Sequence, residues 1–201
     1  MKALLFAAGL GTRLKDFTQN CPKALVPING KTLLERNILY LKSYGITEFV
    51  INVHHFADQV IDFLKTNNYF GCTFEISDER EQLLETGGGL KKARPFLENE
   101  PFLVMNVDIL TDLNIADFIA SHKKNQALVT LAVSDRESSR KLLFNPENVL
   151  CGWENRNAGE IIISRESTNL RLLAFSGLHI IEPKLFDFLT EDGKFSIMKS
   201  Y

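Results

Sequence analysis

Apolar residues first gather in a short unbroken run, residues 2–8, that ends in glycines, the pattern of a strand buried on both faces. After a loop over 9–27 the period becomes helical. Leu34, Ile38 and Leu41 recur at i, i+4, i+7 within 32–44, Thr32 and Glu35 form a capping box, and Gly45 supplies the stop. The β-branched stretch 47–53 predicts a second strand, 57–65 a helix with Val60, Ile61 and Leu64 on one face, and 73–77 a third strand. A polar loop leads to a helix expected over 88–93, stopped before Pro95. The apolar segment 102–106 predicts a fourth strand with Asp108 just beyond it, and Ile115, Phe118, Ile119 and His122 predict a helix over 115–124. Strands alternating with helices at this spacing imply βαβ units and a parallel sheet covered by helices. From Ala127 the rhythm changes to short strands at 127–133, 141–144, 159–163, 171–174 and 176–181, then a helix over 184–189 opened by Pro183. The expected organisation is one domain, 1–201, with an α/β half over 1–126 and a more antiparallel, loop-rich half over 127–201.

Composition narrows the function classes. In 201 residues, 23 Lys and Arg stand against 25 Asp and Glu, so there is no basic excess to grip a nucleic-acid backbone. A hydrophobic fraction of 45% with 24% charged residues suits a folded core. Cys21, Cys72 and Cys151 are widely spaced and odd in number, which reads as reduced thiols. The apolar run near the N-terminus imitates a signal peptide, but no A-x-A site follows it and Gly11, Thr12 and Arg13 interrupt it. No stretch approaches the ~20 apolar residues of a membrane span. A cytoplasmic protein is expected.

The densest chemistry follows the first strand. Ligands of open parallel sheets bind beyond the carboxyl ends of strands. Gly9 and Gly11 there let backbone approach a phosphate, Arg13 can fork onto its oxygens, and Lys23 adds a point charge. By itself such a glycine pair is more often a simple turn beside solvated cations. A dinucleotide fingerprint fails at Leu14 and at the second strand's end, Asn52-Val53-His54, which carries no ribose-binding acid. A P-loop ending at Gly30-Lys31-Thr32 fails because Leu25 stands where its first glycine belongs. Asp108 and Asp112 can each be turn formers or caps. Glu79 and Glu81 read as a solvated acidic stretch. His54 and His55, adjacent on a strand, point to opposite faces, which disfavours chelation. His122 reads as a packed, hydrogen-bonded histidine.

The blocks A-A-G-L-G-T-R-L at 7–14 and P-K-A-L-V-P-I at 22–28 resemble the signature of sugar-1-phosphate nucleotidyltransferases. L-E-T-G-G-G at 84–89 is similar to that family's second nucleotide loop, F-L-V-M-N-V-D at 102–108 to its metal-binding strand end, and F-S-G-L-H-I-I at 175–181 to its sugar-side strand. The Glu-Thr-Gly-Gly-Gly form looks most like small bacterial members that transfer uridylyl or guanylyl groups to N-acetylmuramate 1-phosphate or mannose 1-phosphate. The resemblance implies a Rossmann-like three-layer αβα fold with a mainly parallel mixed sheet. It also implies an enzyme that uses Mg²⁺, joins an NTP (UTP or GTP) to a sugar 1-phosphate, and releases pyrophosphate. Ala8, Gly9, Gly11, Thr12 and Arg13 would then hold the triphosphate, with Arg13 neutralising the leaving pyrophosphate. Lys23 would lie between the α-phosphate and the sugar phosphate, with Asn106 and Gly177 on the sugar-phosphate side. Glu85, Thr86 and Gly87 would line the base and ribose pocket, and Asp108 would bind Mg²⁺. His179 lies on the sugar-side strand, with nothing in the sequence favouring contact with a sugar.

Departures from the pattern carry expectations too. Val107 stands where many relatives have glycine, and 163–167 lacks their Glu-Lys-Pro. No W-x-D-x-G-T block is present, so the half over 127–201 is expected to miss its C-terminal end and the second metal ligand, with impaired catalysis. The alternative from another class is a non-catalytic nucleotide- or sugar-phosphate-binding regulatory module. A nicotinamide-dependent oxidoreductase is weakened by the failed fingerprint.

Overall fold

The computed structural model describes residues 1–9, 11 and 17–201. Thr12 and Arg13 therefore lie outside the described residues. The chain forms two compact units, 1–130 with 179–200, and 131–178 with 201.

In the first unit, strand β1 (Ala3–Phe6) is buried along its whole length. It is shorter than the apolar run suggests because the next two backbone N–H groups, of Ala7 and Ala8, donate to the Asn52 side chain instead of a ladder. A small hairpin, β2 (Pro27–Ile28) and β3 (Lys31–Thr32), turns at Asn29-Gly30, whose φ angles of 48° and 78° suit a two-residue Asn-Gly turn. Thr32 then caps α1 (Leu33–Ser43) by accepting from the Glu35 N–H at 3.1 Å. The helix buries Leu34, Ile38 and Leu41, and Gly45 at φ 82° ends it.

Next come β4 (Glu48–Val53), α2 (Ala57–Thr66), β5 (Thr73–Asp78), α3 (Glu85–Lys92), α4 (Arg94–Leu97), β6 (Phe102–Asn106) and α5 (Ile115–Asn125). Asn114 caps α5 by accepting from the N–H groups of Ala116 and Asp117. Strand β1 runs parallel to both β6 and β4, and β4 runs parallel to β5. In register, Phe6 faces Asn106 on one side and Asn52 on the other, and Asn52 faces Ser77. All four strands thus end at one edge, and that edge is where the apolar sheet gives way to polar side chains.

The remaining strands are β7 (Val129–Ser134), β8 (Arg140–Phe144), β9 (Leu150–Asn155), β10 (Glu160–Ile163) and β11 (Arg171–Ile181). In the second unit β10, β9, β8 and β11 pair in that order, all antiparallel. Strand β9 has no counterpart in the sequence pattern. Its Gly152 lets β10 approach so closely that a Cβ there would lie 2.3 Å from the Ile162 carbonyl oxygen. Strand β11 is continuous where two strands were expected, passing through Gly177 at φ 77°. The segment opened by Pro183 is a 3-10 helix, Pro183–Phe188.

Two first-unit histidines fill polar niches within the core. His122 is buried, with Nδ1 at 2.7 Å from Thr130 Oγ1 and Nε2 at 3.2 Å from Glu182 Oε1, the packed and bonded state expected of it. His179, 1% exposed, is held neutral by burial, its pKa pushed down from 6.5 to about 3. Because the unfolded chain takes up this proton near pH 6.5 and the folded one does not until about pH 3, acidification between those values favours unfolding. The expected contribution is up to about 1.4 kcal/mol per pH unit. Urea unfolding at pH 7 and pH 5 should show a larger stability loss in the parent than in His179→Leu; equal losses would contradict the assignment.

Candidate active site

Two of the sequence-predicted residues meet at the carboxyl edge of the sheet. Lys23 opens a single 3-10 turn, Lys23–Leu25, which Pro22 enters at φ −65° and which the Leu25 N–H to Pro22 O bond of 2.8 Å closes. Its ammonium group forms an ion pair with Asp108 Oδ2, the side chains being 16% and 30% exposed. Asp108 is held by the backbone before it. The Val107 N–H donates to Phe6 O at 3.1 Å, the Val107 carbonyl accepts from Asn37 Nδ2 at 2.8 Å, and the Ile109 N–H donates to Asn106 O at 3.1 Å. Asn37 is a functional support that the pattern alone did not single out. Its signal is a polar residue on the apolar face of α1, between Leu34 and Ile38.

Gly11, at φ 65°, lies against the same place. A Cβ on it would stand 2.7 Å from Thr18 Cγ2 and 3.2 Å from Lys23 Cβ. Thr18 Oγ1 donates to the Gly11 carbonyl at 3.1 Å. Gly9 faces open space. Asn106 is the half-buried last residue of β6, and Gly177 lies in β11 within the second unit.

A second group of residues surrounds the start of α3. Glu79, read from the sequence as solvated, is 0% exposed, whereas Glu81 is exposed. The Glu79 carboxylate accepts from Asn52 Nδ2 at 2.8 Å and from the Leu84 N–H at 3.1 Å. Burial pushes its pKa upward, against the lowering effect of those two bonds and of Lys92 and His54. His54 Nδ1 donates to the Glu79 backbone carbonyl at 2.7 Å. Helix α3 begins at Glu85, three residues ahead of the expected start at 88. Glu85 sits at φ 60° and pairs with Lys194 at 3.5 Å.

Thr86 Oγ1 accepts from the Ile197 N–H at 3.0 Å, and the Gly87 N–H donates to Phe195 O at 2.9 Å. A strap over 189–197 thereby covers the first turn of this helix, and Lys91 Nζ fastens it to the carbonyls of Leu189 and Glu191. Separately, a hollow of about 400 Å³ lies beyond β4, lined by His54, His55 and Phe56 among others, with Arg80 held between Asp58 at 3.1 Å and Asp78 at 2.9 Å.

Among the described residues no three His, Cys, Asp or Glu side chains gather as a metal cluster. The single carboxylate of Asp108, partly exposed and facing the open edge, suits a hard cation that completes its shell with substrate phosphate oxygens. The strap itself is testable. A Cβ at Gly88 would fall 2.0 Å from the Gly193 carbonyl oxygen, a backbone obstacle. Gly88→Ala should lower stability by about 1–3 kcal/mol in urea unfolding and open 189–197 to proteolysis. Unchanged stability and protection would mean that the strap is not docked.

Comparison with known proteins identifies the family. The nucleotidyl transferase family model matches residues 2–142. The N-acetylmuramate alpha-1-phosphate uridylyltransferase of Neisseria meningitidis serogroup B is 33% identical over 187 residues, covering 93% of this chain and 78% of that protein. A UTP–glucose-1-phosphate uridylyltransferase of Synechocystis is 26% identical over 212 residues, covering 98% of this chain; the chain spans only 53% of that relative's length. The crystal structure of HddC from Yersinia pseudotuberculosis complexed with GMP-PN shares the fold, with a TM-score of 0.78 at 24% identity over 98% of this chain and 83% of that one. On the family match over most of its length and the identity to the Neisseria enzyme, this chain belongs to the nucleotidyl transferase family, among the sugar-1-phosphate nucleotidyltransferases.

Proposed function

We propose that the protein transfers a nucleoside monophosphate from UTP or GTP to a sugar 1-phosphate, releasing pyrophosphate, with Mg²⁺ bound at Asp108. The observation that carries this reading is the Lys23–Asp108 pair, which joins a cation and a carboxylate 85 residues apart at the carboxyl edge of β1 and β6. In the reaction a sugar-phosphate oxygen attacks the α-phosphorus of the NTP, the bond from that phosphorus to the β-phosphate's bridging oxygen breaks, and pyrophosphate leaves. Two anions must be brought together in line, so positioning and charge neutralisation supply most of the catalysis.

Lys23 bridges the α-phosphate and the incoming sugar phosphate, with Asn106 on the sugar-phosphate side. Gly9 and Gly11 give the triphosphate a close approach to backbone, and Thr12 and Arg13 complete that loop. Ala8 joins them in holding the triphosphate, its backbone N–H donating to Asn52 Oδ1 at 3.2 Å in this structure. Glu85, Thr86 and Gly87 border the base and ribose. The chemistry a cation supplies at Asp108 is neutralisation of phosphate oxygens. Uridylyl transfer is favoured by the Neisseria relative's activity, and guanylyl transfer by the GMP-PN ligand of HddC. We place the reaction in the cytoplasm, where the free thiols of Cys21, Cys72 and Cys151 stay reduced.

The protein, given Mg²⁺, each NTP and a panel of sugar 1-phosphates, should release pyrophosphate with UTP or GTP. Lys23→Ala and Asp108→Asn should each lower that rate about 100-fold or more with an unchanged circular dichroism spectrum. No release with any combination would overturn the activity. A parental rate in either variant would remove that residue from the mechanism.

A further inference from the structure

Asn52 and Glu79 are both buried, on neighbouring elements, at the point where the strands end. Strand β1 would continue its ladder past Phe6; instead Asn52 Oδ1 accepts from the Ala7 N–H at 2.6 Å and the Ala8 N–H at 3.2 Å. The amide's other end donates to Glu79 Oε1 at 2.8 Å, and Glu79 Oε2 accepts from the N–H of Leu84, the residue before α3, at 3.1 Å. Glu79 is pinned by its backbone as well, donating to Val53 O at 2.7 Å and accepting from the Gln82 N–H at 3.0 Å. Gly89, one turn into α3, rests on the pair: a Cβ there would lie 2.7 Å from Glu79 Oε1 and 3.2 Å from Asn52 Nδ2.

A single buried chain of hydrogen bonds therefore runs from residues 7–8 to residue 84. Resting on the function proposed above, we propose that Asn52 and Glu79 are positioning residues for the nucleotide. They fix Ala7 and Ala8, from which the triphosphate segment leaves β1, and the base-and-ribose turn of α3 at one separation and in one orientation. A role in holding the sheet together would be met at lower cost by apolar side chains, because burying a carboxyl group carries a desolvation penalty. What the polar pair adds is direction: each acceptor lone pair sets where one N–H points. Lys23 and Asp108 are bonded to each other and not to this chain, so the sugar-phosphate side should be insensitive to it.

The test uses Asn52→Ala, which removes the acceptor for the Ala7 and Ala8 N–H groups, and Glu79→Gln, which leaves one acceptor oxygen for two donors. UTP and GTP dissociation constants are measured by calorimetry without sugar phosphate, and KM values for both substrates by pyrophosphate release. Each variant should weaken binding of the accepted NTP about tenfold and leave the KM for sugar 1-phosphate within twofold. The double variant should be no worse than the more severe single one, because the two side chains act as a unit. Gly89→Ala, which keeps both side chains and drives a methyl group against them, should give the same pattern and serves if a truncation fails to fold. Leu64→Ala, a buried α2 variant of comparable thermal destabilisation, should leave NTP binding unchanged. Unchanged NTP binding in the Asn52, Glu79 and Gly89 variants, an equal weakening by Leu64→Ala, or an equal rise in both KM values would overturn the positioning role. An absence of turnover in a parent that still binds NTP would strike only the proposed reaction, since the binding comparison stands by itself.

Discussion

Three consecutive residues without a Cβ, Gly87, Gly88 and Gly89, set the spacing of everything packed around α3. On one side Gly89 admits Glu79 and Asn52 to contact distances that no other residue would allow. On the other, Gly87 and Gly88 admit the Phe195 ring and the Gly193 carbonyl; a Cβ at Gly87 would lie 2.3 Å from the ring. Helix propensity opposes this choice, since each glycine costs about 1 kcal/mol relative to alanine in a helix interior. The helix persists because tertiary contacts replace what propensity withholds. Its first turn, which has no side-chain cap, is closed by the Phe195 carbonyl, and its last turn is fastened by Lys91 to the strap. Close approach from two directions, not flexibility, explains the triplet.

The same triplet makes a buried charge tolerable. Glu79 is removed from water, which disfavours its ionised form, yet both carboxyl oxygens receive well-placed donors. The donors are positioned by other requirements: Asn52 by its register between Phe6 and Ser77, Leu84 by the entry into α3. The apolar rows of β1, β4 and β6 hold the sheet, and the row Asn106, Phe6, Asn52, Ser77 marks where stability gives way to positioning. Polar residues cluster there because the backbone beyond each strand has left its ladder and its N–H groups need other partners.

Much of this was legible from the chain, and the lapses have physical causes. The alternation of apolar runs and helical stripes located β1, α1, β4, α2, β5, β6 and α5 because each of these elements buries one face or both. Strand β9 escaped because its sequence, L-C-G-W-E-N, has neither alternation nor an apolar run; it is a strand through the close pairing that Gly152 permits. The hairpin at Asn29-Gly30 is too short for periodicity, though its turn dipeptide was a signal in plain view. The helix was expected only from 88, and not from 85, because propensity reasoning cannot see Glu79 or Phe195 arriving from distant segments. Glu79 looked solvated for the matching reason: its partners lie 27 residues before it and 5 after it, and only the fold brings them together. Asn52 had the clearer signature, a polar side chain within the buried apolar run 49–53.

The pairing of Lys23 with Asp108 fits the electrostatic needs of the proposed reaction. In this state the two charges cancel, and at an effective dielectric constant near 20 a pair in contact is worth about 4 kcal/mol of Coulomb energy before desolvation is counted. A site of net zero charge offers little to a triphosphate. In the proposed reaction a divalent cation at Asp108 would satisfy the carboxylate and leave the ammonium group to face phosphate. On that proposal one lysine and one aspartate, contributed by separate loops, would have a reason to lie within contact distance at the edge of a sheet whose interior is apolar. In this structure each compensates the other, and in the proposed reaction phosphate oxygens and a cation would take over that role.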